Sequence, residues 1–272
     1  MIETTIGEYP DTISTEAVAH MDRENFLTYG KILTDQEIID ARFAYWRAFE
    51  QNPIAYQARK NPGVPATQAM EVSFFCQEPN LMKLIGNDYM LRIASAALHT
   101  AVEDLVYVGG FLHRHRLNIQ WEHEDWFWDG WHQDAKPVLD PLQHCNLWMY
   151  LADVTRMEGA TQGLIGGCEL QRENLRNDKD PNEGTREMLD YINEHPDEGT
   201  WAEAPCGGGF AWGGHLFHRV CPNRSGLNRT LVTYEYAPRD SEHKDMAQSL
   251  GQEKLDMIKA ALPEDKHYLI CL

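Results

Sequence analysis

The residues best suited to chemistry lie in a short stretch, Trp131-His132-Gln133-Asp134, where an imidazole and a carboxylate alternate. If this stretch is a β-strand, His132 and Asp134 project from the same face, because alternate side chains of a strand share a face. They could then hold one metal ion together. A histidine from a distant strand would complete a triad of two imidazoles and one carboxylate, which leaves open positions on Fe(II) for a co-substrate and O₂. Short motifs of this kind also occur by chance, so the context decides.

A second group of residues lies towards the end of the chain. His218 stands between a glycine-rich run at 207–214 and a Pro-Asn-Arg-Ser turn, and Arg229 opens an apolar strand. A strand–turn–strand arrangement would bring His218 and Arg229 to neighbouring strands in the core. A buried arginine needs an anion, and its planar guanidinium matches a carboxylate. The pair predicts a 2-oxo dicarboxylic acid that chelates the metal and reaches Arg229 with its far carboxylate.

Other histidines compete for the role of third ligand. His215 is three positions before His218 and faces the opposite way on an extended strand. The eleven-residue step to Arg229 favours His218. His113-Arg-His115 is like the HxH of a cupin, but Glu122 is too distant to complete a cupin ligand set, and we interpret these histidines as a basic surface patch.

The parts together resemble the phytanoyl-CoA dioxygenase family of Fe(II)/2-oxoglutarate oxygenases. The family pattern is an HxD, then a strand with a large residue that leads to an acidic residue and an Asn/Glu-Gly turn. A distal His follows, with an Arg eleven positions later. Here the pattern corresponds to His132-Gln-Asp134, then 147–161, then His218 to Arg229.

The resemblance covers roughly residues 105–238 and implies a double-stranded β-helix, or jelly-roll, core. It also implies Fe(II), 2-oxoglutarate and O₂ as cofactor and co-substrates. By the same resemblance, Trp148 would line the 2-oxoglutarate pocket and Asn118 could donate to its carboxylate. Alternatively, Trp148 fills core and Asn118 caps a strand end.

Aromatic side chains near these motifs are candidates for contact with the primary substrate. Trp126, Trp131, Tyr150 and Trp201 could build a pocket whose faces favour flat rings or a cationic ammonium group. Aromatic core packing is the alternative for most of them. His144 is interpreted as an exposed side chain, with a substrate contact left open.

The remaining elements predict one α+β domain over 1–272, with a jelly-roll core and flanking helices. A helical N-terminal part is expected over 1–104, with Ile38, Ile39, Phe43, Trp46 and Phe49 at helical spacing after a capped start at Thr34. A second helical region is expected over 78–104, and the candidates for its buried stripe are Leu81, Leu84, Ile85, Leu91, Ala94 and Leu98. Later runs rich in β-branched and aromatic residues predict strands, among them 146–152, 208–212 and 229–236. A lid-like or merely solvated insert, with a helix at Glu183–Glu194, interrupts the core at 169–200. A C-terminal helix is expected within 239–272.

Composition limits the classes of partner. The net charge of −18 repels phosphate backbones and anionic lipid, which argues against nucleic acid and membrane surfaces. The six scattered cysteines and the lack of a secretory signal predict a cytoplasmic protein with reduced thiols. The sequence does not reveal an oligomeric state.

The expected function is therefore an Fe(II)- and 2-oxoglutarate-dependent hydroxylation of an unactivated C–H bond in a small polar metabolite or natural-product intermediate. Succinate and CO₂ would be the co-products. Asp134 argues against halogenation, because related halogenases lack the carboxylate. Demethylation, desaturation or ring closure by the same iron chemistry stays open, as does a non-catalytic cupin-like binding protein that uses His113 and His115.

Overall fold

The structure, a computed structural model, describes residues 13–52, 67–115, 131, 144–164, 181–195, 199–213, 216–219, 221, 223–241 and 250–270. Helices occupy mainly the first part, and strands the part after residue 104. The α-helices are α1 (Thr15–Glu24), α2 (Asp35–Gln51), α3 (Pro79–Met82), α4 (Asp88–Leu98), α5 (Pro181–Glu194) and α6 (Gln252–Ala261). Short 3₁₀ helices cover Val72–Phe74, Lys83–Gly86, Val102–Asp104, Arg156–Glu158 and Glu264–Ile270.

The strands form two antiparallel sheets. Their bounds are β1 (Phe26–Tyr29), β2 (Thr67–Glu71), β3 (Leu105–Gly109), β4 (Phe111–His115), β5 (Cys145–Tyr150), β6 (Gln162–Leu164), β7 (Gly199–Trp201), β8 (Gly209–Gly213), β9 (His218–Arg219) and β10 (Arg229–Pro238). Among the described residues, seven strands make the larger sheet in the order β1-β8-β5-β10-β4-β2, with β3 also paired to β10. The smaller sheet has the order β7-β6-β9.

The larger sheet separates two hydrophobic clusters. Along β5, Leu147 and Met149 belong to a cluster shared with the helices, whereas Trp148 and Tyr150 belong to a second cluster on the opposite face. This division follows from the two-residue period of a strand. Hydrogen bonds from the hydroxyls of Tyr234 and Tyr236 to the carbonyls of Leu81 and Ile85 join β10 to the helical layer. The second face, here called the interior face, therefore carries the candidate site.

The helix α2 begins where the sequence predicts but buries only some of its large apolar residues. The Thr34 side chain accepts a hydrogen bond from the backbone N–H of Glu37, and the Glu37 carboxylate accepts one from the backbone N–H of Thr34. This capping box confirms the predicted start. Ile38 and Phe49 are buried, but Ile39, Phe43 and Trp46 are 43%, 65% and 38% exposed. The helix that this spacing predicted is confirmed, and these three residues lie on its exposed side. The buried face is completed by small residues and one ring, namely Ala41, Ala44, Tyr45 and Ala48.

The helical region after residue 78 agrees with its prediction. Its proposed buried residues, Leu81, Leu84, Ile85, Leu91, Ala94 and Leu98, are all at most 5% exposed. The part before residue 105 is not wholly helical, however, because β1 pairs with β8 and β2 with β4. Both N-terminal strands lie at edges of the larger sheet. In the described part of the chain, no helix is long and apolar enough to cross a membrane.

The predicted helix of the insert is present as α5, and it packs on the smaller sheet. Met188 is buried against Leu164 and Phe217, with Trp131 and Tyr191 beside them. Gly163 faces the other way, since a Cβ there would lie 3.3 Å from Leu216 and Phe26 of the interior cluster. The insert helix therefore rests on the outer face of the smaller sheet.

Candidate metal and co-substrate site

His218 opens β9 and points into the interior. It pairs with Gly163 of β6 and is 3% exposed. Its Nδ1 lies 3.0 Å from the carbonyl oxygen of Leu216, and its ring centroid lies 5.3 Å from that of Trp212. When Nδ1 donates to that carbonyl, Nε2 carries the lone pair that a metal requires, and the same bond fixes the ring orientation. The chemistry of this imidazole therefore fits a metal ligand.

The other two predicted ligands, His132 and Asp134, lie outside the described residues. Within the described ranges, no three His, Cys, Asp or Glu side chains come close enough to hold a metal. Trp131, the residue before His132, is described. Its ring stacks on Phe217 at 5.9 Å, and the guanidinium of Arg219 lies 4.9 Å from its centroid. Trp131 thus contacts both chain neighbours of His218.

Arg229 is fully buried at the start of β10. Its Nη1 donates to the carbonyl oxygen of Gly159, which follows the 3₁₀ helix Arg156–Glu158 with a positive φ of 78°. Burial lowers the pKa of Arg229, and the neighbouring Tyr150 and Cys221 oppose that effect. A guanidinium held without water favours an anion beside it. The geometry suits the predicted role of Arg229 as a carboxylate anchor.

Trp148 stands at the centre of an aromatic wall on the interior face. Its centroid lies 4.8 Å from Trp212 and 5.2 Å from Phe210, and Phe210 stacks on Trp212 at 4.9 Å. Trp148 is 8% exposed. The wall runs along β5 and β8 from the Arg229 end to the His218 ring. Trp148 could therefore both fill core and line a pocket, which are the two uses considered for it.

His113 was missed as a site residue. Its ring stacks on Trp148, with centroids 4.9 Å apart and an interplanar angle of 24°. It is half-buried, and on β4 it pairs with Leu231 of β10. The interpretation of His113 as part of a basic surface patch is wrong, because β4 turns it to the interior. The alternation in Phe111-Leu-His-Arg-His115 was the available signal. The side chain of His115 lies outside the described part.

The four candidate substrate contacts have different surroundings. Tyr150 is buried, its hydroxyl donates to the carbonyl of Ala202 at 2.9 Å, and burial raises its pKa. Trp201 is half-buried on β7, with the guanidinium of Arg156 5.2 Å from its centroid. Trp201 packs against the interior cluster that contains Trp148 and Tyr150, whereas Trp131 packs against the separate cluster of Leu164, Met188 and Phe217. Trp126 and the co-substrate candidate Asn118 lie outside the described residues.

One further polar position was missed, and one was expected to be exposed. The hydroxyl of Thr161 is buried and makes no hydrogen bond in the described part of the chain. It follows Gly159, the acceptor for Arg229, by two residues. Nothing in the sequence singles out Thr161, since a threonine after Gly-Ala is unremarkable on its own. The expectation that His144 is exposed is wrong, because its side chain is 15% exposed, with Nε2 3.7 Å from Oε2 of Glu235.

Comparison with known proteins gives one family and a set of similar folds. The family model described as phytanoyl-CoA dioxygenase (PhyH) matches residues 42–231. None of the curated proteins compared with the chain matches it. The α-ketoglutarate-dependent carbocyclase SnoK from nogalamycin biosynthesis is 16% identical, with 83% of this chain and 84% of that chain covered and a TM-score of 0.62.

Two other solved structures are similar in the same way. HygX from Streptomyces hygroscopicus, with nickel, 2-oxoglutarate and hygromycin B bound, is 15% identical over 84% of this chain and 88% of that one, with a TM-score of 0.57. EvdO2 from Micromonospora carbonacea var. aurantiaca, complexed with 2-oxoglutarate, is 18% identical over 84% of this chain and 91% of that one, with a TM-score of 0.54. At these identities the similarity concerns the fold.

Proposed function

Because the chain belongs to the phytanoyl-CoA dioxygenase family of iron- and 2-oxoglutarate-dependent oxygenases, we propose that it hydroxylates an unactivated C–H bond of a small polar metabolite or natural-product intermediate. His132, Asp134 and His218 would hold the Fe(II), and Arg229 would anchor 2-oxoglutarate. Iron, 2-oxoglutarate and O₂ together supply the oxidising power, with succinate and CO₂ as co-products.

The position of Trp131 is the observation that carries this proposal. Trp131 packs on Phe217 and Arg219, whose side chains alternate with that of His218 and so point to the opposite face. If the predicted strand continues from Trp131, the next residue, His132, points away from that outer face and towards the side of His218. On that strand, Asp134 would share the face of His132. The three ligands would then converge from two neighbouring chain segments.

The remaining residues would hold and shield the co-substrate. Arg229 would bind the far carboxylate by two parallel N–H bonds, and the Thr161 hydroxyl would be a second donor near it. Trp148 would form one wall of the pocket. A buried, ring-lined cavity excludes water and strengthens these charged contacts.

The finer features of the fold belong to the same proposal. The larger and smaller sheets would be the two halves of a jelly roll that, with its flanking helices, makes one domain over 1–272. The insert at 169–200 would be lid-like only if it can leave the smaller sheet, on which Met188 now packs. A cytoplasmic location remains a prediction, as does the absence of nucleic-acid or membrane partners.

The outcome of the reaction is the least constrained part. The similarity to SnoK, described as a carbocyclase, supports ring closure as the alternative outcome of the same chemistry. HygX was solved with hygromycin B, which supports a polar natural-product scaffold for the substrate. A non-catalytic cupin-like protein that uses His113 and His115 is the second candidate function, and the interior position of His113 is its specific support.

One experiment separates these functions. Purified protein with Fe(II), ascorbate and 2-oxoglutarate should bind 2-oxoglutarate and form succinate, and His218→Ala should do neither. His20→Ala, on α1 outside the site, is the matched control and should behave like the wild type. In a cupin-like binder, metal binding would instead survive His218→Ala and be lost in His113→Ala. Full succinate formation in His218→Ala would reject the assigned ligands.

A further inference from the structure

A polar group lies on the interior face at the end of the sheet opposite to Arg229. Asn146 on β5 pairs with Trp212 on β8 and with Glu235 on β10, so the three residues form one row across three strands. Asn146 alternates with Trp148 and therefore shares its face. Glu235 is six residues beyond Arg229 on β10, which separates the two ends by about 20 Å. The row is distinct from the carboxylate anchor.

The row contains two buried N–H donors that the described part of the chain leaves without an acceptor. Nδ2 of Asn146 and Nε1 of Trp212 are inaccessible to solvent and make no hydrogen bond in the part of the chain that the structure describes. Their residues are 3% and 0% exposed. Buried N–H groups are nearly always bonded, because leaving one unbonded is costly. Two such donors on directly paired residues, neither with an acceptor among the described residues, favour an acceptor that a bound molecule supplies.

The third member of the row is a carboxylate. Glu235 is 6% exposed, and its Oε2 lies 3.7 Å from Nε2 of His144. Gly109 faces it across β3, where a Cβ would lie 3.0 Å from that same oxygen. The absence of a side chain at Gly109 leaves room for the carboxylate at the row. Glu235 adds acceptor capacity beside the two donors.

The row also lies next to the proposed metal. The Trp212 ring on the larger sheet is 5.3 Å from the ring of His218, which faces it from the smaller sheet. A molecule bonded to Trp212 and Asn146 would therefore place its neighbouring carbons near the iron. In the proposed reaction, the substrate must lie near the metal without replacing the metal ligands. The row offers such a position.

We propose that Asn146, Trp212 and Glu235 form the subsite for the primary substrate and that they select a ring bearing several hydroxyl groups. This inference rests on the proposed function. A hydroxyl both accepts and donates, so neighbouring hydroxyls satisfy the two N–H donors and the carboxylate together. An anionic substrate would satisfy the donors but be repelled by Glu235, and a simple ammonium would leave both donors unbonded. The three residues are positioning and specificity residues.

Ligand-observed NMR on the whole protein loaded with Zn(II) and 2-oxoglutarate, which cannot turn over, tests this proposal. The probes are myo-inositol, methyl glucoside, glucosamine and hygromycin B, with cyclohexanecarboxylate as the anionic ring control. At least one hydroxylated probe should bind, and the anionic ring should bind about tenfold more weakly or not at all. Failure of every hydroxylated probe, or preference for the anion, would overturn the proposal.

Two variants assign that binding to the row. Glu235→Gln and Asn146→Leu should each weaken the bound probe by about tenfold, the loss expected for one good hydrogen bond. Both should leave 2-oxoglutarate affinity unchanged. If the wild type does not bind 2-oxoglutarate, the proposed function has failed. That result differs from failure of the subsite proposal, in which 2-oxoglutarate binds but no hydroxylated probe does.

Thermal stability distinguishes a ligand role from a structural one. Asn146→Leu removes a buried donor that has no bond, so the variant without ligand should melt at the same temperature as the wild type or higher. If Asn146 were part of the structural framework, the same variant would melt lower. Unchanged probe binding combined with a lower melting temperature would therefore overturn the proposal.

Discussion

The two ends of the interior face differ in the charge and the hydrogen bonding of their polar groups. At the Arg229 end, a buried positive charge is partly bonded by the chain: the guanidinium donates to Gly159 and the Tyr150 hydroxyl donates to Ala202. Nε of Arg229 and the Thr161 hydroxyl make no hydrogen bond in the described residues. At the other end, the neutral donors of Asn146 and Trp212 have no bond in the described residues and lie in one row with the carboxylate of Glu235. The first end therefore suits a carboxylate, and the second suits a ligand that both donates and accepts.

Among the variants that distinguish the two ends, Arg229→Ala should have the largest effect on 2-oxoglutarate affinity. Loss of a buried charge partner should weaken 2-oxoglutarate by about 3–5 kcal/mol, which is more than a hundredfold in Kd. The affinity of Arg229→Lys should lie between those of the wild type and Arg229→Ala, because lysine keeps the charge but loses the two parallel bonds. Calorimetry on the metal-loaded protein measures both, with exposed Arg23→Ala as control. Unchanged affinity would place the anchor elsewhere, and a matching loss in Glu235→Gln would remove the distinction between the ends.

Trp148 lies between the ends, so its loss should affect both. Trp148→Ala removes a buried ring in contact with Phe210, Trp212 and His113, and we expect a loss of about 3–5 kcal/mol in the free energy of unfolding. Denaturant unfolding measures this loss. Trp46→Ala, on the exposed face of α2, is the control and should cost much less. A small effect at Trp148 would mean that the aromatic wall is not packed as described.

The smallest expected effect concerns Thr161. Thr161→Val keeps the shape and removes the hydroxyl, so 2-oxoglutarate affinity should fall by about 0.5–1.5 kcal/mol, or roughly three- to tenfold. Stability without ligand should not fall, because that hydroxyl makes no bond in the described chain. If affinity is unchanged but stability falls, Thr161 belongs to the framework and the Arg229 end has a single anchor.

The same contrast explains what could be predicted from sequence. The spacing from His218 to Arg229 reflects a short connection between the consecutive strands β9 and β10, which is local information. The expectation that these strands are neighbours is wrong, because β9 pairs in the smaller sheet and β10 in the larger one. The row of Asn146, Trp212 and Glu235 depends on strand register across residues almost ninety positions apart, which no local pattern carries. Similarly, β1 and β2 are short edge strands whose partners, β8 and β4, lie elsewhere in the chain.

The errors have physical causes of the same kind. In α2, the spacing of large apolar residues predicted a helix but not its buried face, because close packing of that helix uses Ala41, Ala44 and Ala48, which carry little hydrophobic signal. His113 was assigned to the surface from residue type alone, although half-buried histidines are common when an aromatic face covers the ring. The predicted strands at 146–152, 208–212 and 229–236 match β5, β8 and β10, because each carries aromatic residues, and β10 also β-branched ones, that favour buried strands.

The central claim is that His132, Asp134 and His218 hold one iron ion. Anaerobic equilibrium dialysis with Fe(II) and 2-oxoglutarate tests it most directly, on the wild type, His132→Ala, Asp134→Ala and His218→Ala, with His20→Ala as control. We expect the wild type and the control to retain one ion per chain and each of the three ligand variants to lose it. Retention of iron by His218→Ala, or absence of iron from the wild type, would contradict the account.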